Sequence, residues 1–150
     1  MSRPGFPAWW DTTVTIYNKY VDPQTQVITW FKNVVTDCFW RLQGSTVKVG
    51  DVTLDSKAII CRIPKCDNYL DKQDWVELPN DKMSEYFTLG QGDIIVKGVC
   101  DEIIDENTKG HRSTDLLNKY KQYQAVMEIT EYVNNTGVVR NNEHYFVRGK

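Results

Sequence analysis

Thr12 to Tyr20 alternate: Val14, Ile16 and Tyr20 fall on one face, Thr13, Thr15 and Lys19 on the other. Period two with β-branched residues predicts a strand, and Asp22-Pro23 opens a turn behind it. Val27 to Leu42 then runs without Gly or Pro, with large apolar groups on both parities: Trp30, Cys38 and Trp40 on one, Phe31, Val35 and Phe39 on the other. This is too long for an ordinary strand, so a bulge or break is expected near Asn33 or Asp37, in a central and mostly covered segment. Gly44 and Gly50-Asp51 punctuate the next stretch, with Val47–Val49 and Val52–Leu54 reading as short flanking strands. Lys57 to Ile63 alternates again and stops at Pro64.

Two polar excursions interrupt the β pattern. Residues 65–85 carry a dense run of Asp, Asn, Lys and Gln broken by Trp75, Val76 and Leu78; residues 101–115 open with the acidic DEIIDE segment. Excursions of this length in a small domain are usually functional. Between them Gly90 and Gly92 mark a tight turn before a strand carrying Ile94, Val96, Gly98 and Cys100, where Gly98 suggests a bulge or a close backbone approach. A helix comes next, with Ser113 or Thr114 as its N-cap and Leu116, Leu117, Tyr120 and Tyr123 at helical spacing. Strands over Ala125–Val133 and His144–Arg148 close the chain. The expected fold is mainly β: an antiparallel β-barrel or sandwich of about seven to eight strands with one short α-helix and long loops. It forms a single domain over residues 12–150, preceded by an extended aromatic N-terminal arm over residues 1–11.

Composition narrows the function classes. The 150 residues hold 18 Lys and Arg against 20 Asp and Glu, a formal charge of −2, which argues against dedicated phosphate-backbone binding. No apolar run approaches the ~20 residues of a membrane span. Pro4, Gly5 and Pro7 break the opening residues, so no signal peptide is read there and a soluble intracellular domain is expected. The four cysteines, Cys38, Cys61, Cys66 and Cys100, form no Cys-x-x-Cys pair and lie far in sequence from His111 and His144. They read as small buried thiols, with no metal and no cofactor expected.

No nucleophile elbow or P-loop is present, and Gly90-Gln91-Gly92 precedes a strand, where phosphate cradles precede a helix. The chain is read as a non-enzyme with no catalytic residues. A nucleic-acid module is an alternative, since small barrels stack bases on aromatics and five Trp, eight Tyr and five Phe are available. The basic residues Lys109, Arg112, Lys119 and Lys121, interleaved with Asp115, read more simply as a solvated helix face. What remains is interaction. An arm carrying Phe6, Trp9 and Trp10 must dock on its own domain or on a neighbouring subunit, and with Trp75 of the first excursion these residues form the candidate subunit interface.

Five ordered segments carry a resemblance: VTIYNKYVDPQTQVITWFKNVVTDCFWR (14–41), AIICRIPK (58–65), KMSEYFTLGQGDIIVKG (82–98), GHRSTDLLNKYK (110–121) and NEHYFVRG (142–149). Together they resemble a family of small structural proteins in tailed phages of Gram-positive hosts. The resemblance implies a minor virion protein of the head–tail connector, assembled in the host cytoplasm. It points to a head-closure (stopper) ring below the portal that retains packaged DNA and docks the tail, with a tail terminator ring as the alternative. The implied partners are further copies of the chain in a homo-oligomeric ring, portal or adaptor proteins, tail proteins, and packaged DNA only through the channel lumen. No membrane partner is implied. Asp101, Glu102, Asp105 and Glu106 are the candidate lumen loop, where acidic side chains would let DNA slide.

Overall fold

The computed structural model describes residues 6–137 and 143–150, with the backbone alone described over residues 45–48 and 53–57. The arm's residues 1–5 lie outside the described residues. Among the described residues, six strands form a closed antiparallel barrel: β1 (Thr12–Val21), β2 (Ile28–Val49), β3 (Val52–Pro64), β4 (Ile94–Lys97), β5 (Val126–Asn134) and β6 (His144–Gly149). Their order around the wall is β1-β2-β3-β6-β5-β4, closed by pairing of β4 with β1. Two helices interrupt the strands, α1 (Lys72–Trp75) and α2 (Ser113–Lys121). The mainly β class and the barrel agree with the sequence reading. The strand number is lower because Val47–Val49 and Val52–Leu54 are the ends of β2 and β3, and Gly44 lies inside β2 opposite Lys57.

β2 owes its length to a division of labour. Residues 28–38 pair with β1, and residues 39–49 pair with β3. The handover is at the expected bulge: the register jumps from Thr12↔Cys38 to Val14↔Val35, and Asp37 takes φ 61°. One extra residue flips the side-chain parity. That is why Val35 and Cys38, of opposite parity, are both buried in one core. The strand is less covered than its composition suggests: Trp30, Phe31, Phe39 and Trp40 are half-buried, while Val34 and Leu42 are exposed.

The interior is filled by inward positions of all six strands, among them Val14 and Ile16, Cys61 and Ile63, Ile95, Met127 and Ile129, and Val147. Phe87 and Leu89, just beyond the first excursion, join them, and Cys66 and Tyr69 of the excursion pack against the same core, so that together they plug the barrel. A second cluster lies outside the wall, where the outward residues Tyr17, Ile94 and Val96 are covered by Cys100, Ile104 and Leu116. Burial of two apolar layers, one on each face of β1 and β4, is the main stabilising force here.

Two glycines have distinct roles. Gly98 has φ 90° and no neighbouring atom where a Cβ would stand, so it is needed for backbone conformation and not for close approach. It donates its N–H to Thr13 O at 2.6 Å and accepts from Thr15 Oγ1 at 2.8 Å. The close approach is at Gly149, which pairs with both Ile59 and Ile129.

Candidate functional site

The aromatic residues proposed from sequence as subunit contacts meet different fates. Trp10 is buried in its own subunit: its ring lies 6.0 Å from Phe39, meets His144 edge-on at 5.5 Å, and is covered by half-buried Phe6 at 4.9 Å. Trp75 is wholly enclosed, with its indole N–H donating to Met83 O (3.2 Å) and Tyr86 O (3.1 Å). Both rings are already desolvated by their own fold, which leaves little apolar surface on either for a partner. Trp9 differs, with 68% of its surface exposed. The arm thus divides into an anchor, Trp10, and a free ring, Trp9.

The acidic segment is likewise tied into the fold. Glu102 pairs with Lys119 of α2 at 2.8 Å, and that hydrogen bond holds its carboxyl below the usual range. Its backbone oxygen accepts from Tyr17 Oη at 2.6 Å. Asp105 accepts from Asn107 N and Thr108 Oγ1, and the Asn107 N–H is the main cause of its lowered pKa. Glu106 accepts from Ser113 N at 2.7 Å, satisfying one of the open N–H groups at the start of α2. The N-cap of that helix is Arg112, one residue before the expected position, because the Asp115 carboxylate reaches back to Arg112 N at 3.1 Å and Gly110 N at 3.0 Å. Asp101 is exposed. The first duty of these acids is therefore local: Glu102 and Glu106 tie the second excursion to α2, Asp105 closes the loop on itself, and the Glu102 carbonyl meets Tyr17 of the barrel wall.

A buried polar cluster holds the first excursion in place. Asp93 is fully buried, accepting from Lys19 N (2.9 Å), Asn18 Nδ2 (3.1 Å) and Lys72 Nζ (3.1 Å). Asn18 also bonds both backbone groups of Thr88. Burial raises the Asp93 pKa above its ordinary value, with the Lys72 ammonium and the N–H donors opposing it. The stability tied to this group is therefore complete below the ordinary carboxylate range and falls as pH rises through the higher folded value. Lys72→Met should remove the opposing cation from a buried carboxylate at a cost of about 1–3 kcal/mol near neutral pH, a figure held low because Lys72 is partly exposed. The loss should shrink as acid protonates Asp93, which urea denaturation at two pH values would read out.

Among the described residues, no three His, Cys, Asp or Glu side chains gather as metal ligands would. Cys38, Cys61 and Cys100 are buried, and Cys66 is partly buried. His144 is buried, its Nε2 accepting from Arg62 (3.1 Å) and Asn135 (3.3 Å). Exposed His111 closes its loop through its backbone. No helix among the described residues is long and apolar enough to cross a membrane.

The most open surface is one that sequence reasoning passed over. β3 pairs with β6 only from Ile59 onward, and β2 pairs with β1 only up to Cys38. The seven pairs from Gln43↔Ala58 to Val49↔Val52 hence form a two-stranded ribbon that no other strand among the described residues flanks. At ~3.4 Å per residue it reaches about 20 Å past the barrel. Its turn is Gly50-Asp51, with Gly50 at φ 61° as a two-residue hairpin loop requires. Val49 and Val52, at 59% and 58% exposure, stand at its end. The Val-Gly-Asp-Val pattern is a recognisable hairpin signal; reading its arms as separate short strands hid the projection.

Fold and surfaces define a small closed antiparallel barrel, plugged by one excursion, clad by another, and carrying a projecting ribbon. Residues 9–150 match a family described as a family of unknown function, DUF6751, and the chain belongs to that family. No curated protein and no solved structure matches it.

Proposed function

We propose that this chain is a structural assembly subunit, which forms a homo-oligomeric ring in the head–tail connector of a tailed phage. In this reading it acts as the head-closure (stopper) ring below the portal, retaining DNA and presenting a docking surface to the tail. The placement in the virion neck rests on the sequence resemblance of the five ordered segments. The observation that carries self-assembly is the β2–β3 ribbon. A two-stranded ribbon alone in water is marginally stable at best, and its unpaired N–H and C=O rows are templates for another chain. The barrel is closed by the β4–β1 pairing, whereas the seven ribbon pairs have no flanking strand on either side among the described residues.

The mechanism is geometric. A plugged barrel is a rigid block, and identical contacts repeated around a closed ring let each one be weak. Sedimentation velocity and negative-stain imaging of the recombinant full chain should give rings. Shortening the ribbon by removing residues 44–57 should give folded monomers. A wild-type chain that stays monomeric at all concentrations, and that purified connectors of such a phage do not recruit, would overturn the reading.

A further inference from the structure

We infer that the ribbon tip of one copy seats in a groove on the next, between the end of α2 and the base of that copy's own ribbon. The inference rests on the self-assembly reading above and supplies its contact. The groove encloses about 300 Å³ and is lined by Leu42, Ile59 and Val126 with Lys121, Gln124 and Lys150. It continues along the α2–β5 seam, where Lys121, Val126 and Lys150 line the adjoining stretch. Leu42 and Val126 come from different elements, so the groove is built by the packing of α2 on the barrel and not by one loop.

Tip and groove match in kind. The tip offers two exposed valines, Val49 and Val52, flanking one exposed carboxylate, Asp51. The groove offers exposed Leu42 above a floor of buried Ile59 and Val126, with two ammonium groups, Lys121 and Lys150, among its lining. A chain cannot satisfy its own groove: Leu42 and Ile59 sit opposite each other at the foot of the ribbon, and continuous pairing carries the tip about 20 Å away from them. The occupant is therefore a second copy. Because tip and groove are different surfaces, each contact leaves a free tip on one subunit and a free groove on the other. When the exchange is one-way rather than a reciprocal two-fold swap, the contact is heterologous, and it closes into a ring where the rotation between copies allows.

Charge reversal tests this directly, with changes confined to exposed side chains. Asp51→Lys places a cation against the lysines of a neighbour's groove. Lys121→Glu with Lys150→Glu places carboxylates against Asp51. Each variant alone should keep the wild-type circular dichroism and melting curve but associate at least about tenfold more weakly in sedimentation velocity. Mixed in equal amounts, the two should recover assembly, since every tip then finds a groove of opposite charge in an alternating array. If the wild type assembles and both variants alone assemble equally well, the tip–groove contact is wrong while the ring reading stands. Weakened variants whose mixture fails to recover would also overturn the contact. A wild type that never associates overturns both.

Discussion

Trp75→Ala should lower the free energy of unfolding by about 3–5 kcal/mol, the range for deleting a large buried aromatic. The indole is completely enclosed. Tyr20 of β1 and Phe31 of β2 meet it edge-on at 6.2 and 5.7 Å, and Lys72 Nζ lies 5.1 Å from its ring centre. Its N–H is satisfied by two backbone carbonyls of the same excursion, so truncation leaves a cavity and removes the donor that gathers residues 83–86. Urea denaturation followed by far-UV circular dichroism would measure the loss. Trp40→Ala, which sequence alone marks as the costly change, should cost distinctly less because Trp40 is half-buried. Reversal of that order would mean that Trp75 is not enclosed between the first excursion and strands β1 and β2.

The second large effect is expected at Gly149. A Cβ built there would lie 2.2 Å from the backbone oxygen of Glu128, 2.9 Å from its carbonyl carbon and 3.1 Å from Met127 Sδ. Two of these are backbone atoms of the neighbouring strand, which no rotamer change can move aside. Relief would require β5 and β6 to separate where β6 also pairs with β3. Gly149→Ala should therefore cost about 3 kcal/mol or more, at the upper end of overpacking effects. For a domain of this size that lowers the melting temperature by roughly 6–12 °C, readable by calorimetry. A melting temperature within about a degree of wild type would show that the strands approach less closely.

The barrel is legible in the sequence because its strands announce themselves by alternation and a β-bulge leaves a physical trace. A sixteen-residue unbroken run must either bend or stop, and it bends at Asp37. Cys61, Ile63 and Val147 sit in the core, as period two requires. The excursions are legible as elements but not as structure. The first excursion and the residues just after it hide Trp75, Met83, Phe87 and Leu89, all buried, because single apolar residues spaced along irregular backbone generate no periodicity. The acids of 101–106 carry no such pattern either: charge in sequence does not reveal that Thr108 and Ser113 nearby and Lys119 of α2 are their partners. Gly149 carries no signal, since close approach of backbones is a property of tertiary closure.

The unbroken course of β2 and β3 has a mechanical consequence. Both strands pass from the barrel wall into the projection with no turn, glycine pair or linker between them, apart from the single Gly44. Such a projection has no discrete hinge along its paired strands, so a neighbour seated on its tip also holds its base. Any load applied at Gly50-Asp51 is delivered as torque to the strands bearing Cys38 and Cys61, deep in the molecule. Strain imposed by a neighbour would thus reach the centre of the barrel without any intervening loop to absorb it.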